Sequence, residues 1–217
     1  MRLRHAAVAI VLGAGLTVGV HGQDHGQSHG AAGTHADHME HSFADVERYA
    51  KSFDDPGVRA LWKVAVDEGI TIDLFLMQYG MIESAAKMMR EFPSLTYGFC
   101  HCMDLKPGPN LERDLKAVLD LSRFKNLHAK VDFIGTGTQR AYPCDDLHDA
   151  AMQVIRAYGP ERCLWTSSYP NEIWTPKITY AEHLKIFTEA LPLRDSERKL
   201  ILGENARKIW FKNSAFL

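Results

Sequence analysis

From Val58 onward, apolar positions alternate between a three-to-four-residue spacing and a two-residue spacing. The first rhythm places one apolar stripe on a helix, and the second divides a strand into two faces. Leu61, Trp62, Ala65 and Val66 predict a helix over 58–68. Thr-Ile-Asp-Leu-Phe-Leu-Met predicts a strand over 71–77, followed by an amphipathic helix over 81–92 and a second strand over 95–101. Leu111, Leu115, Val118, Leu119 and Leu121 mark a helix over 110–122, and a third strand covers 126–133. A helix over 145–158 precedes a fourth strand over 162–166; helices over 179–191 and 195–203 follow, and 205–211 closes the chain. Short runs rich in branched and aromatic residues, bounded by Pro, Gly and Asn, suit strands. Their alternation with helices implies an α/β fold of parallel strands joined by right-handed crossovers.

Upstream the pattern changes. Residues 1–5 are a basic start and 6–20 an apolar run with small residues, the layout of a secretory signal peptide over 1–22. An apolar run of about fifteen residues is shorter than the roughly 20 that a bilayer requires, so no stable membrane span is expected. A secreted or periplasmic location is the expectation. Residues 23–41 form a flexible leader rich in His and Gly, where His25, His29, His35 and His38 are candidate ligands for Zn, Cu or Ni. Its glycines disfavour a helix. Ser42 and Asp45 resemble a capping box, and Phe43, Val46, Tyr49, Ala50 and Phe53 predict an amphipathic helix and junction over 42–56. The main domain then occupies 57–217.

Composition adds little: 46% apolar and 24% charged residues are ordinary for a globular protein. A net charge of −2 gives no footprint for nucleic acid or an anionic membrane. Cys100, Cys102, Cys144 and Cys163 are too few for a disulfide scaffold and are expected as buried small side chains. No glycine-rich phosphate loop follows a strand, so no nucleotide cofactor is expected.

In parallel α/β folds, active groups gather where strands end. His101 ends the second strand on the face of Leu95, Tyr97 and Phe99. On the third strand His128, Lys130 and Asp132 share a polar face opposite Leu127, Ala129, Val131 and Phe133. On the fourth, Leu164, Thr166 and Ser168 align. His101 is thus a candidate metal ligand or acid–base and Ser168 a candidate catalytic residue. His128 and Lys130 are candidate substrate contacts, Lys130 for an anionic group. No Gly-x-Ser-x-Gly elbow surrounds Ser168.

Several pieces, in order, resemble the C-terminal half of an amidohydrolase-related, metal-dependent hydrolase with a TIM barrel. They are Phe92-Pro93-Ser94-Leu95-Thr96 leading to Phe99-Cys100-His101, then Asn126-Leu127-His128-Ala129-Lys130-Val131. Tyr142-Pro143-Cys144-Asp145-Asp146-Leu147 and Tyr158-Gly159-Pro160-Glu161-Arg162-Cys163-Leu164-Trp165 come next. Ile201-Leu202-Gly203-Glu204-Asn205-Ala206-Arg207-Lys208-Ile209-Trp210 matches the terminal helix. The resemblance implies a (β/α)8 fold, a divalent metal such as Zn or Mn, and hydrolysis of an ester, lactone or amide bond in a small molecule, or decarboxylation. It implies metal ligands from a His-x-His on the first strand, a His on the fifth and an Asp on the last. His101 matches the fifth-strand histidine, Ser168 stands at the Asp position, and no His-x-His occurs in the chain. An impaired metal site is therefore expected. About 160 residues follow Pro56, against about 250 in a usual barrel. A partial barrel of about four strands is expected, either completed by a second copy in a homodimer or standing as the product of a truncated or fused gene. The competing expectation is a non-catalytic metal-binding protein that works through its His-rich leader.

Overall fold

In the computed structural model, which describes residues 10–13, 15–17, 52–76, 79–168 and 175–211, helix α1 (Pro56–Glu68) starts and stops on its sequence punctuation. Asp55 accepts a hydrogen bond from the Gly57 N–H, Pro56 occupies the first helical position, and Gly69 ends the helix in the left-handed conformation. Val58, Trp62 and Ala65 face inward, whereas Val66, grouped with them by spacing, is exposed. The Trp62 ring is fully buried against Phe53, Phe92 and Tyr97, at centroid distances of 6.4, 5.9 and 5.1 Å. The leader over 23–41, including His25, His29, His35 and His38, lies outside the described residues, as does most of the expected helix over 42–56.

One sheet organises the rest. It comprises β1 (Ile10–Gly13), β2 (Gly15–Thr17), β3 (Ile72–Phe75), β4 (Tyr97–Phe99), β5 (Leu127–Lys130) and β6 (Cys163–Leu164), in the order β2-β1-β3-β4-β5-β6. Only β1 and β2 pair antiparallel. These two strands fall inside residues 1–22. Strands β3 to β6 are the four that alternation predicts, each trimmed at its ends. Helices α2 (Tyr79–Glu91), α3 (Leu111–Leu121) and α5 (His148–Tyr158) lie between them in sequence. The third strand stops earlier than its apolar run suggests, because Phe133 and Ile134 are buried in a short helix, α4 (Phe133–Gly137). An apolar run of that length does not separate strand from buried helix. The expected helix over 179–191 is α6 (Tyr180–Lys185) continued by a π turn at Ile186–Ala190. Helix α7 (Asp195–Lys199) likewise continues as a π turn at Leu200–Glu204, and α8 (Asn205–Trp210) closes the described chain. Among the described residues no helix is long and apolar enough to cross a membrane.

Register sorts the side chains by face. Ile72, Tyr97 and Leu127 are aligned, as are Leu74, Phe99 and Ala129, and all six are fully buried. Asp73, Gly98 and His128 are aligned on the other face. Sheet pairing ends at β6, and the chain covers that outer edge itself. Trp165 N–H donates to the Ile201 carbonyl at 2.9 Å, and the Asn205 amide donates to the carbonyls of Pro160 and Cys163 at 2.8 Å each.

Gly98 carries a specific burden on the polar face. Lys130 Nζ donates to Asp73 Oδ2 at 2.7 Å, and their side chains are only 13% and 7% exposed. The pair spans from β5 to β3 across β4. A Cβ at Gly98 would overlap Asp73 Oδ1 and lie 3.3 Å from Lys130 Cε. Gly98→Ala should therefore lower stability by about 1–3 kcal/mol, the usual cost of overpacking. The measurement is the urea midpoint at unchanged slope; an unmoved midpoint would mean that the two side chains do not cross over this residue.

His183 on α6 is the other tightly enclosed polar group. It has 0% exposure, its ring centroid lies 5.8 Å from that of Trp165 and 6.0 Å from that of Phe187, and a Cβ on Gly135 of α4 would come within 3.1 Å of the ring. Burial pushes the imidazole below its ordinary value, against smaller opposite pulls from the Asp132 charge and a Ser167 backbone group. The folded chain thus binds this proton less readily than the unfolded chain. Stability contributed here is lost as pH falls below about 6.5, by at most about 1.4 kcal/mol per pH unit. His183→Leu should shrink the stability difference between urea melts at pH ~7.5 and ~5.5. An equal difference in wild type and variant would show that His183 does not contribute it.

Candidate active site

At the end of β4 the backbone turns left-handed. His101, Cys102, Met103 and Asp104 have φ of 55, 44, 63 and 51°, and none is glycine. Each such residue costs on the order of 1–2 kcal/mol, so neighbours must hold the turn. The Cys102 thiol, fully buried, donates to the Lys130 carbonyl at 3.3 Å. Thr136 donates to Asp104 Oδ1 at 2.9 Å, and Lys106 pairs with Asp104 Oδ2 at 2.7 Å. The turn removes His101 from the face of Tyr97 and Phe99, where simple alternation places it. Its ring instead meets Phe75 edge-on, with centroids 5.4 Å apart, and its Nδ1 lies 2.8 Å from Asp132 Oδ2.

Asp132 lies two residues beyond β5, at the start of α4, and is the most enclosed acid of the site, with 0% exposure. Its Oδ2 accepts hydrogen bonds from Thr166 Oγ1 at 2.6 Å and Ser168 Oγ at 3.1 Å, both from the chain leaving β6. Oδ1 has no hydrogen-bond partner among the described residues. His101 Nδ1 is at ion-pair distance but off the axis of a ring N–H, so the contact is electrostatic rather than a well-directed hydrogen bond. Burial works against charge on both partners. On Asp132 it is outweighed by His101 and Thr166, which hold the carboxyl below its usual range. On His101 it is outweighed by Asp132, with help from Asp104, and the imidazole is raised.

Lys130 and His128 lie two residues apart on the half-buried face of β5. Besides Asp73, the Lys130 ammonium has the Cys100 sulfur at 3.5 Å and the Trp210 ring centroid at 5.2 Å. Burial pushes the Cys100 thiol up to about 12, so it stays neutral beside Lys130. An anionic substrate group would have to compete with Asp73 for this cation. His101 and Ser168 come together through Asp132. Lys130 and His128 form a second group deeper on the sheet.

The residues test poorly against the metal that the resemblance implies. A histidine backed by a carboxylate is the usual form of an oriented metal ligand, and His101 has it. Catalytic zinc, however, takes three protein ligands. Among the described residues no three His, Cys, Asp or Glu side chains gather so as to hold a metal ion. A Zn or Mn ion does not fit the described residues alone. Sequence spacing marked the face of Asp132 without its role, and it left Asp73, Thr166 and His183 out of the site. Asp73 had a signal, as the one acid inside an apolar strand. The left-handed turn had none, since it contains no glycine.

The family model for amidohydrolases matches residues 11–212. An amidohydrolase from Burkholderia multivorans with bound zinc superposes with a TM-score of 0.64 at 17% identity, over 77% of this chain and 61% of that one. A probable 2-pyrone-4,6-dicarboxylic acid hydrolase from Acinetobacter baumannii gives 0.57 at 18% identity, over 74% and 59%. An uncharacterised TIM-barrel protein from Bordetella bronchiseptica gives 0.51 at 19%, over 73% and 51%. The chain thus spans between 51% and 61% of the length of these structures. No curated protein sequence matches it. With four consecutive parallel strands, flanking helices and a match over nearly its whole length, the chain belongs to the amidohydrolase family and carries part of its TIM-barrel fold.

Proposed function

We propose that the chain is an exported hydrolase that cleaves an ester, lactone or amide bond of a small molecule, with His101 as its acid–base and with the family's metal chemistry weakened. The observation that carries this reading is His101, whose side chain is 32% exposed at a strand end while the carboxylate behind it has no exposure. That combination leaves an imidazole reachable by substrate and keeps its partner fixed. In the step, His101 accepts a proton from water as the water oxygen bonds to the acyl carbon. The proton then passes to the departing oxygen or nitrogen as its bond to carbon breaks.

The relative named for 2-pyrone-4,6-dicarboxylic acid favours the lactone class, since a pyrone is a cyclic ester. The bound zinc of the Burkholderia protein supports a metal-using ancestry. In this chain the hydroxyl of Ser168 is committed to Asp132, and a hydroxyl does not ionise near neutral pH to become a strong ligand. Export is supported by the basic start and apolar run of residues 1–22. A homodimer that completes the barrel would supply the missing strands, but pairing at β6 requires the bonds from Trp165 and Asn205 to open first.

Purified chain should open simple lactones, and His101→Ala should slow this by about 10²–10⁴-fold, the usual contribution of a general acid–base. A chelator should leave most of the rate intact. Complete loss with chelator, together with an unaffected His101→Ala variant, would sink the proposal.

A further inference from the structure

We infer that Asp132 is a positioning residue for His101: it holds the imidazole as the tautomer protonated on Nδ1, so that Nε2 is the bare nitrogen presented to substrate. The inference rests on the reading of His101 as the working group, but its test does not depend on turnover.

Three observations meet in it. The first is distance. At 2.8 Å from Asp132 Oδ2, Nδ1 sits at contact distance from a carboxylate, whose negative charge favours a proton on that nitrogen even though the N–H is not aimed along the contact. The charge of Asp132 therefore selects the Nδ1-protonated tautomer of the neutral ring. The second is restraint of the carboxylate. Asp132 is fully buried, and the hydroxyls of Thr166 and Ser168 both donate to the same Oδ2 that faces His101. Two donors on one oxygen leave the carboxylate no free rotation, and they come from the segment leaving β6, the neighbour of the strand that precedes Asp132. The third is restraint of the ring. The left-handed turn from His101 to Asp104 fixes the backbone, and Phe75 stands edge-on to the imidazole. Nδ1 is buried while the side chain is one-third exposed, so the accessible part of the ring lies away from Asp132. Free histidine favours the opposite tautomer, with the proton on Nε2, which makes the arrangement measurable.

A carboxylate that only filled space in the core would not select a tautomer. The experiment uses the full chain labelled with nitrogen-15 histidine, examined by long-range proton–nitrogen correlation well above the imidazole's titration. Wild type should show His101 with a protonated Nδ1 and a bare Nε2. Asp132→Ala should revert it to the Nε2-protonated form. Asp132→Asn, which keeps the shape but removes the charge, should weaken the preference and give a mixture of tautomers. The Thr166→Val/Ser168→Ala pair should give a mixture. If Asp132→Ala does not fold, the wild-type spectrum and the hydroxyl variants still decide. A bare Nδ1 in wild type, or a tautomer unmoved by Asp132→Ala, overturns the inference. A correct tautomer in a chain that opens no lactone upholds it while removing the proposed hydrolysis. A bare Nδ1 in a chain whose hydrolysis still needs His101 does the reverse.

Discussion

The polar face of a short parallel sheet must hold charge without water, and most features of this chain answer to that constraint. Asp73 and Lys130 neutralise each other across β4, with the thiol of Cys100 and the ring of Trp210 completing the surroundings of the ammonium. Taking either ion out of water costs several kcal/mol, and removing one partner alone typically costs about 3–5 kcal/mol. The pair is therefore a commitment of the fold more than a source of net stability. Its geometry needs Gly98, which links one absent Cβ on the central strand to the survival of two charges. Asp132, a few residues further along, is the second buried charge. It is satisfied by hydroxyls and an imidazole rather than by an ammonium.

The existence of β3 to β6 was legible because alternation over short segments is a strong signal, whereas β1 and β2 fall in the stretch read as a signal peptide. Tyr97, Phe99, Leu127 and Ala129 are buried on the predicted side. The ends were less legible. His101 follows Tyr97 and Phe99 at the strand period, so spacing alone extends β4 through it. The backbone instead turns at Cys100 through four left-handed residues held by Cys102 and Asp104, partners that sit far away in sequence at Lys130 and Thr136. Apart from the Lys106 pair with Asp104, the contacts that hold the turn are remote in sequence. The same holds for Asp132: it lies on the predicted polar face with His128 and Lys130, yet its role depends on hydroxyls at 166 and 168 that only the sheet brings near. His183 was not legible at all, since a single histidine on an amphipathic helix ordinarily faces solvent.

Edge management explains how a chain with about half a barrel keeps its last strand from being an open template. A short β6 leaves few backbone groups to cover. Of those on its outer side, the Cys163 carbonyl is taken by Asn205 and the Trp165 N–H by the Ile201 carbonyl. Both partners belong to the closing segment that includes the π turn at Leu200–Glu204 and the start of α8. The C-terminal segment thus does for β6 what a neighbouring strand would do in a closed barrel. Completion by another copy has to displace an existing solution rather than fill a vacancy.

In the proposed reading, position 168 sets which partner His101 has. Ser168 sits in the left-handed region at φ 52°, with its oxygen 3.1 Å from Asp132 Oδ2. A carboxylate there would face a second, fully buried carboxylate at contact distance, and two such groups do not ionise together. An acid at 168 and an acid at 132 are therefore close to mutually exclusive. With the acid at 132, His101 has a carboxylate as its direct partner, and the two hydroxyls from the β6 end serve that carboxylate. With the acid at 168 and none at 132, His101 would lose its carboxylate partner and be free to act as a ligand. The first arrangement favours an imidazole that moves protons, and the second an imidazole that binds metal. Thr166 and Ser168 belong to the first, because each spends its one proton on Asp132.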